Sequence, residues 1–266
     1  MKLSIDRPIL CGLSLVITLA LSAPVSAMKH GQEEWEFGAN AIIIELTDND
    51  IELQVFIDGF DYTKVSGFDP LGEKFVEMKT KGRLSATGGF SEIFFASEPS
   101  HYLEEEDDYD ESVEDFLARW PEGEYEFEGS GPGGIRLEGE ATLTHVLPDL
   151  PVILAPLPVG DEPPVFAPGD ELIISWEPVT TCFEGVVCDI EIFEYQVIID
   201  QVEPERDDPW VDGDTRRALI NLPPDITQVT VSEEFLMPGV YEFEILAIEA
   251  SGNSTISVGE FDIEDE

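Results

Sequence analysis

Apolar side chains at every second position, in segment after segment, constrain this chain more than any other feature. In IELQVFID, residues 51–58, Ile51, Leu53, Val55 and Ile57 alternate with mostly polar neighbours. That is the period of a half-buried strand. NAIIIELT, EKFVEMKT and FSEIFFASE supply further strands in the first half, and ELIISWEPV, IFEYQVIID, TQVTVS and STISVGEFDI in the second. Asp58-Gly59 and Asp69-Pro70-Leu71-Gly72 provide turn chemistry between them. One stretch, SVEDFLARW, reads as a helix. Ser112 and Asp115 form a variant capping box, Val113, Phe116, Leu117 and Trp120 make one apolar stripe, and Pro121 and Gly123 end it. The expectation is a mainly β protein with one short helix against a sheet.

The first 27 residues have the grammar of an export signal. Lys2 and Arg7 precede an uncharged, mostly apolar run from Ile9 to Leu21, and Pro24-Val25-Ser26-Ala27 offers a cleavage site after Ala27. The run is short for a membrane span. Cys11 sits near its start and is badly placed for lipid attachment. Removing residues 1–27 takes away two bases and one acid and leaves 11 Lys+Arg against 57 Asp+Glu, a formal charge of −46 over 239 residues. Such a balance argues against nucleic acid and against an anionic membrane surface. The expected place is the periplasm or the extracellular space, without membrane insertion once the signal is gone.

Residues 147–170 hold seven prolines, and Pro belongs in connectors and at strand edges. This divides the chain into a signal (1–27), an N-terminal β-rich domain (28–148) and a C-terminal domain (149–266). Cys182 and Cys188, with five residues between them, fit one local disulfide of an exported protein better than a zinc site, for which no His or further Cys is near.

The second half resembles a fibronectin type III domain, a seven-stranded immunoglobulin-like sandwich. Trp176 stands where that family places a core Trp on strand B, and Tyr195 where it places a Tyr on strand C. Leu236–Tyr241, LMPGVY, is similar to its Leu-x-Pro-Gly-x-x-Tyr turn with one residue fewer, and makes Tyr241 a tyrosine corner. The segment between strands B and C is longer than the family's and carries the cysteines; the region 201–225 is also long. More loosely, the whole chain resembles secreted bacterial proteins that pair an N-terminal β region with such a domain, through FLARWPEGEYEFEG and LEGEATLTHVLP; that group brings no assigned chemistry. The resemblance implies that the B–C and F–G loops lie at one end, as binding loops do. Asn253-Ser254-Thr255 on that F–G turn is also an N-glycosylation triplet.

The tetrapeptide YEFE occurs twice, at Tyr125–Glu128 and at Tyr241–Glu244, each time after a Pro and a Gly. Tyr and Phe, two apart, face a core and Glu faces water. Trp120, Tyr125, Trp176, Tyr195 and Tyr241 are the expected core anchors.

No catalytic set emerges. His30, His101 and His145 are far apart, Gly-x-Ser-x-Gly and His-Glu-x-x-His are missing, and SGPGG lacks the Lys-Ser/Thr of a phosphate loop. The run EEEDDYDESVED, residues 104–115, has nine acidic side chains in twelve. Adjacent carboxylates ~4 Å apart repel by about 1 kcal/mol even in water, so the run prefers extension or a cation. It is not an EF-hand, because Val113 and Arg119 occupy the positions that need Gly and Glu. A looser Ca²⁺ site would draw on Asp107, Asp108, Asp110 and Glu111; the alternative is a solvated loop feeding a helix N-terminus. TDNDIE, around Asp48–Glu52, is explained by turn chemistry alone. The reading is a non-enzymatic, exported interaction or adhesion-type protein with an unidentified protein or glycan partner and no required cofactor. The alternatives are a Ca²⁺-dependent binder and an accessory module of a carbohydrate-active or surface assembly.

Overall fold

The computed structural model describes residues 34–102, 111–160, 162–184, 186, 188–204 and 216–265. Residues 1–27, expected to be an export signal, lie outside them. Among the described residues the first half has strands β1 (Glu34–Glu36), β2 (Ala39–Leu46), β3 (Asp50–Tyr62), β4 (Lys64–Phe68), β5 (Lys74–Lys79), β6 (Phe90–Ala96), β7 (Ser100–His101), β8 (Gly123–Ser130) and β9 (Arg136–Leu143). Two helices, α1 (Arg83–Ala86) and α2 (Val113–Arg119), interrupt them. One sheet runs β1-β9-β8-β4-β5, and the other contains β2-β3-β6, with β7 also on β3. Ile42, Ile44, Leu53, Val55 and Ile57 from one sheet meet Val65, Tyr125, Phe127 and Leu137 from the other. The alternation that defines each strand therefore also builds the interior.

Helix α2 forms because its N-terminus is satisfied locally. Ser112 Oγ accepts the Asp115 amide at 3.1 Å and donates to Asp115 Oδ2 at 2.8 Å. Phe116 is buried, with Val113, Leu117 and Trp120 packed against the same core. Helix α1 is a single turn without a buried side chain; nothing in its sequence periodicity announced it.

The second half is an immunoglobulin-like sandwich. Its strands are β10 (Ile153–Ala155), β11 (Val165–Phe166), β12 (Leu172–Trp176), β13 (Ile192–Glu203), β14 (Arg217–Leu222), β15 (Gln228–Val231), β16 (Gly239–Glu249) and β17 (Ser254–Ile263). A three-stranded sheet β10-β12-β15 faces β14-β13-β16-β17. Between them lie Trp176, Tyr195, Tyr241, Phe243 and Phe261. Strict alternation in IFEYQVIID would put Phe193 on one face with Tyr195, Val197 and Ile199, and the structure departs from it. Tyr195, Val197 and Ile199 are buried, but Phe193 is 64% exposed. The β13–β16 register shifts between Ile192 and Glu194, and Ile192 packs on the core in place of Phe193. An irregularity of that kind breaks the two-residue period.

The two YEFE copies share more than their letters. Tyr125 Oη donates to Pro121 O at 3.1 Å, and Tyr241 Oη to Met237 O at 3.0 Å. Each bond reaches four residues back around a glycine at φ +140° (Gly123) or +142° (Gly239), a conformation that a side chain rarely adopts. Across the hairpins Phe127 pairs with Gly139 and Phe243 with Gly259. A Cβ on Gly259 would sit 2.3 Å from Phe243 Cζ, so the ring needs that gap. The copies differ on the other face. Glu126 and Glu128 are exposed, whereas Glu244 is 5% exposed, beside a separate cluster of Ile198, Leu246, Ile248 and Ile256.

The two sandwiches join edge to edge. Strand β17 pairs in parallel with β2 through Ser254↔Glu45 and Thr255↔Leu46. Strands β14-β13-β16-β17-β2-β3-β6 thus form one continuous path of hydrogen bonding across both halves.

Candidate interaction site

The loops that the sandwich analogy offers for binding are used inside the molecule. Asn253, at the β16–β17 turn, is 1% exposed. Its Oδ1 accepts the Ile44 amide at 2.8 Å, and its Nδ2 donates to Thr144 O at 2.9 Å and Val146 O at 3.0 Å. The glycosylation triplet is therefore no exposed acceptor: its amide nitrogen is buried against the first half. Thr255 Oγ1 donates to Asp149 O at 3.0 Å, and Thr144 and Ser251 hydroxyls meet at 2.7 Å.

The long loop between β12 and β13 lies on the same seam. Cys182 and Cys188 form a disulfide with Cα atoms 6.1 Å apart. Phe183 and Val186, inside that small ring, pack on the core of the first half. Phe183 meets Tyr102 edge-on at 5.9 Å and donates its amide to Leu147 O at 3.0 Å. Both loops share one end of the sandwich, and that end is occupied by the first half. Sequence reasoning placed the loops and missed their occupant.

Glu45 is the charged residue that it missed altogether. It is 2% exposed, pairs across β2–β3 with Glu52, and accepts Ser254 Oγ at 3.4 Å. Burial pushes its carboxyl up to about 8, with Glu52, Glu244 and Asp50 adding to the shift and the Ser254 hydroxyl opposing it. Burial also raises Glu52. Nothing in NAIIIELT marked Glu45, since strand ends commonly carry an acid at a solvent edge. At the surface the opposite holds: Lys74 and Lys64 hold the Glu77 carboxyl down at about 2.

Of the residues proposed for a cation, Asp107, Asp108 and Asp110 lie outside the described residues. Glu111 pairs with Arg119 at 2.8 Å and accepts Ser100 Oγ at 3.4 Å, which ties it to α2 and β7. Among the described residues no cluster of three metal-ligating side chains occurs. In TDNDIE, Thr47 Oγ1 accepts the amides of Asn49 (3.2 Å) and Asp50 (3.0 Å) and donates to Asp50 Oδ1 at 2.9 Å, a closed turn network. His145 Nε2 lies 2.7 Å from Trp120 O, and His101 lies 3.5 Å from Asn49. They are at separate places.

Away from the seam, a cleft of about 210 Å³ opens among Ala167, Pro168, Glu233, Leu236, Pro238 and Ile263. Arg216 Nη1, nearby, donates to Glu234 O at 3.1 Å and Phe235 O at 2.8 Å.

Solved structures with similarity to this chain include the fibronectin(III)-like modules of CbhA from Clostridium thermocellum, at TM-score 0.29 and 11% identity over 88% of this chain and 90% of that one. A 1.5-MDa bacterial ice-binding adhesin follows at 0.28 and 12%, over 88% and 66%. A Ca²⁺-stabilised adhesin of an Antarctic bacterium gives 0.27 and 11%, over 86% and 49%. The chain thus spans about two-thirds and about half of the two adhesin structures. No protein-family model matches the chain, and no curated protein does. At identities this low none of these proteins brings an activity or a partner with it.

Proposed function

We propose that the chain is an exported, non-enzymatic adhesion-type protein: a fibronectin type III-like domain (149–266) locked onto an N-terminal β sandwich (28–148). One observation carries this reading. The loops free to bind in an isolated immunoglobulin-like domain are consumed by the seam, which turns two sandwiches into one unit and leaves the opposite pole, with its cleft beside Leu236 and Pro238, for a partner. Two facing sheets, β10-β12-β15 and β14-β13-β16-β17 with short β11 added beside β17, the Tyr241 corner and buried Trp176 support the family reading. Cysteine pairing fits an oxidising compartment. Among the described residues no helix is long and apolar enough to cross a membrane.

Cross-linking pull-down from the envelope fraction of the host, with the mature chain as bait, tests the proposal. Capture of a defined partner that a Leu236→Asp variant loses supports it. Hydrolysis of a glycan, peptide or ester panel by the pure protein, abolished by changing specific carboxylates, overturns it.

A further inference from the structure

The β17–β2 pairing within the seam is short and includes a buried acid. Its backbone ladder consists of two residue pairs, Ser254↔Glu45 and Thr255↔Leu46. Glu45 is 2% exposed on β2. Glu52 stands directly opposite it on β3, and Asp50 lies further along that strand. Glu244 approaches from β16 in the other half, and Ser254 on β17 contributes a hydroxyl. His101, on β7, faces Asp50 rather than Glu45. Glu249 closes the adjoining turn by accepting the Ser251 amide at 2.9 Å. The charges that act on Glu45 among the described residues are all acidic. An ionised carboxylate buried among like charges opposes burial of the surface around it.

We propose that the seam is a proton-controlled latch, closed when Glu45 is protonated and released when Glu45 ionises. The sign follows from linkage. Glu45 moves from an ordinary 4.5 to about 8 in the closed seam, so the closed form binds the proton more tightly than the open form. Closure is therefore fully favoured below the ordinary value and weakens as pH rises toward 8. Above that the contribution is level. Across this window the closed-to-open ratio falls by up to about three orders of magnitude. The group that releases the seam belongs to the first half, and the hydroxyl and carboxylate that sense it belong to the second.

The mature chain tests this directly. Small-angle scattering and the amide signal of Ile44, whose proton goes to Asn253 Oδ1, are followed from about pH 5 to about pH 9. The expected result is a larger radius of gyration and loss of Ile44 protection (corrected for intrinsic exchange) at the alkaline end. Glu45→Gln, which keeps the acceptor for Ser254 and cannot ionise, stays closed throughout. A wild-type chain that remains closed, or a Glu45→Gln variant that opens along the same profile, overturns the proposal. If Glu45→Gln does not fold, Glu52→Gln serves: removing the strongest neighbouring charge lowers the pH at which the seam finishes opening, while burial still holds the Glu45 carboxyl up, and an unchanged profile overturns the latch.

Discussion

Asn253 is where the seam should be most vulnerable. Asn253→Ala removes the acceptor of the Ile44 amide and the donor that serves Thr144 O, Val146 O and Thr144 Oγ1 at 2.9, 3.0 and 3.1 Å. The Ile44 amide would be left buried without its partner, at a cost of about 1–3 kcal/mol. Two carbonyls lose one bond each, more cheaply, because a carbonyl has a second lone pair. Allowing for a water entering the vacated space, the net destabilisation is about 3 kcal/mol. Urea denaturation at neutral pH measures it as a shift of the midpoint. For a chain of this size the same loss lowers Tm by roughly 6–12 °C. Each half has its own core, so the variant should also split one transition into two. A loss below about 1 kcal/mol with a single unchanged transition would refute the reasoning, and would mean that the halves hold together without this side chain.

Three further outcomes follow from the same geometry. Tyr125→Phe should cost about 1 kcal/mol, and Tyr241→Phe somewhat more, because Tyr241 Oη also accepts the Met237 amide at 2.8 Å; denaturation of both variants compares them. Gly259→Ala should lose about 1–3 kcal/mol by overpacking against Phe243, and a shift of the near-ultraviolet aromatic spectrum should accompany it. Millimolar Ca²⁺ should raise Tm more than NaCl of matched ionic strength if residues 104–115 take up a cation, whereas equal shifts reduce the run to charge screening.

The proteins's local rules were legible in its sequence where a side chain's face depends on its immediate neighbours. Strands around Ile51–Ile57 and Leu172–Trp176, the Ser112 cap and the anchoring of Tyr125 and Tyr241 fall in this class. The repeat of YEFE was visible, but its full extent was not. Gly139 and Gly259 lie on the partner strands, beyond turns of different length, so only pairing aligns them with Phe127 and Phe243. Phe193 escaped for a related reason: a register shift against β16 breaks an alternation that looks regular in one dimension.

Alternation, proline placement and turn residues by themselves determined a mainly β chain, because these are statements about neighbouring residues; the sandwich in its second half was implied only by the fibronectin type III resemblance carried by Trp176, Tyr195 and LMPGVY. Tertiary structure alone decided that β17 meets β2, that Asn253 is a buried bolt and not a surface acceptor, and that Glu45 lies inside a seam. Strand edges carry no local label for the edge that they will join. That choice is made by the complementarity of two surfaces, Asn253 and Ser254 on one side and Ile44 and Glu45 on the other, 209 residues apart.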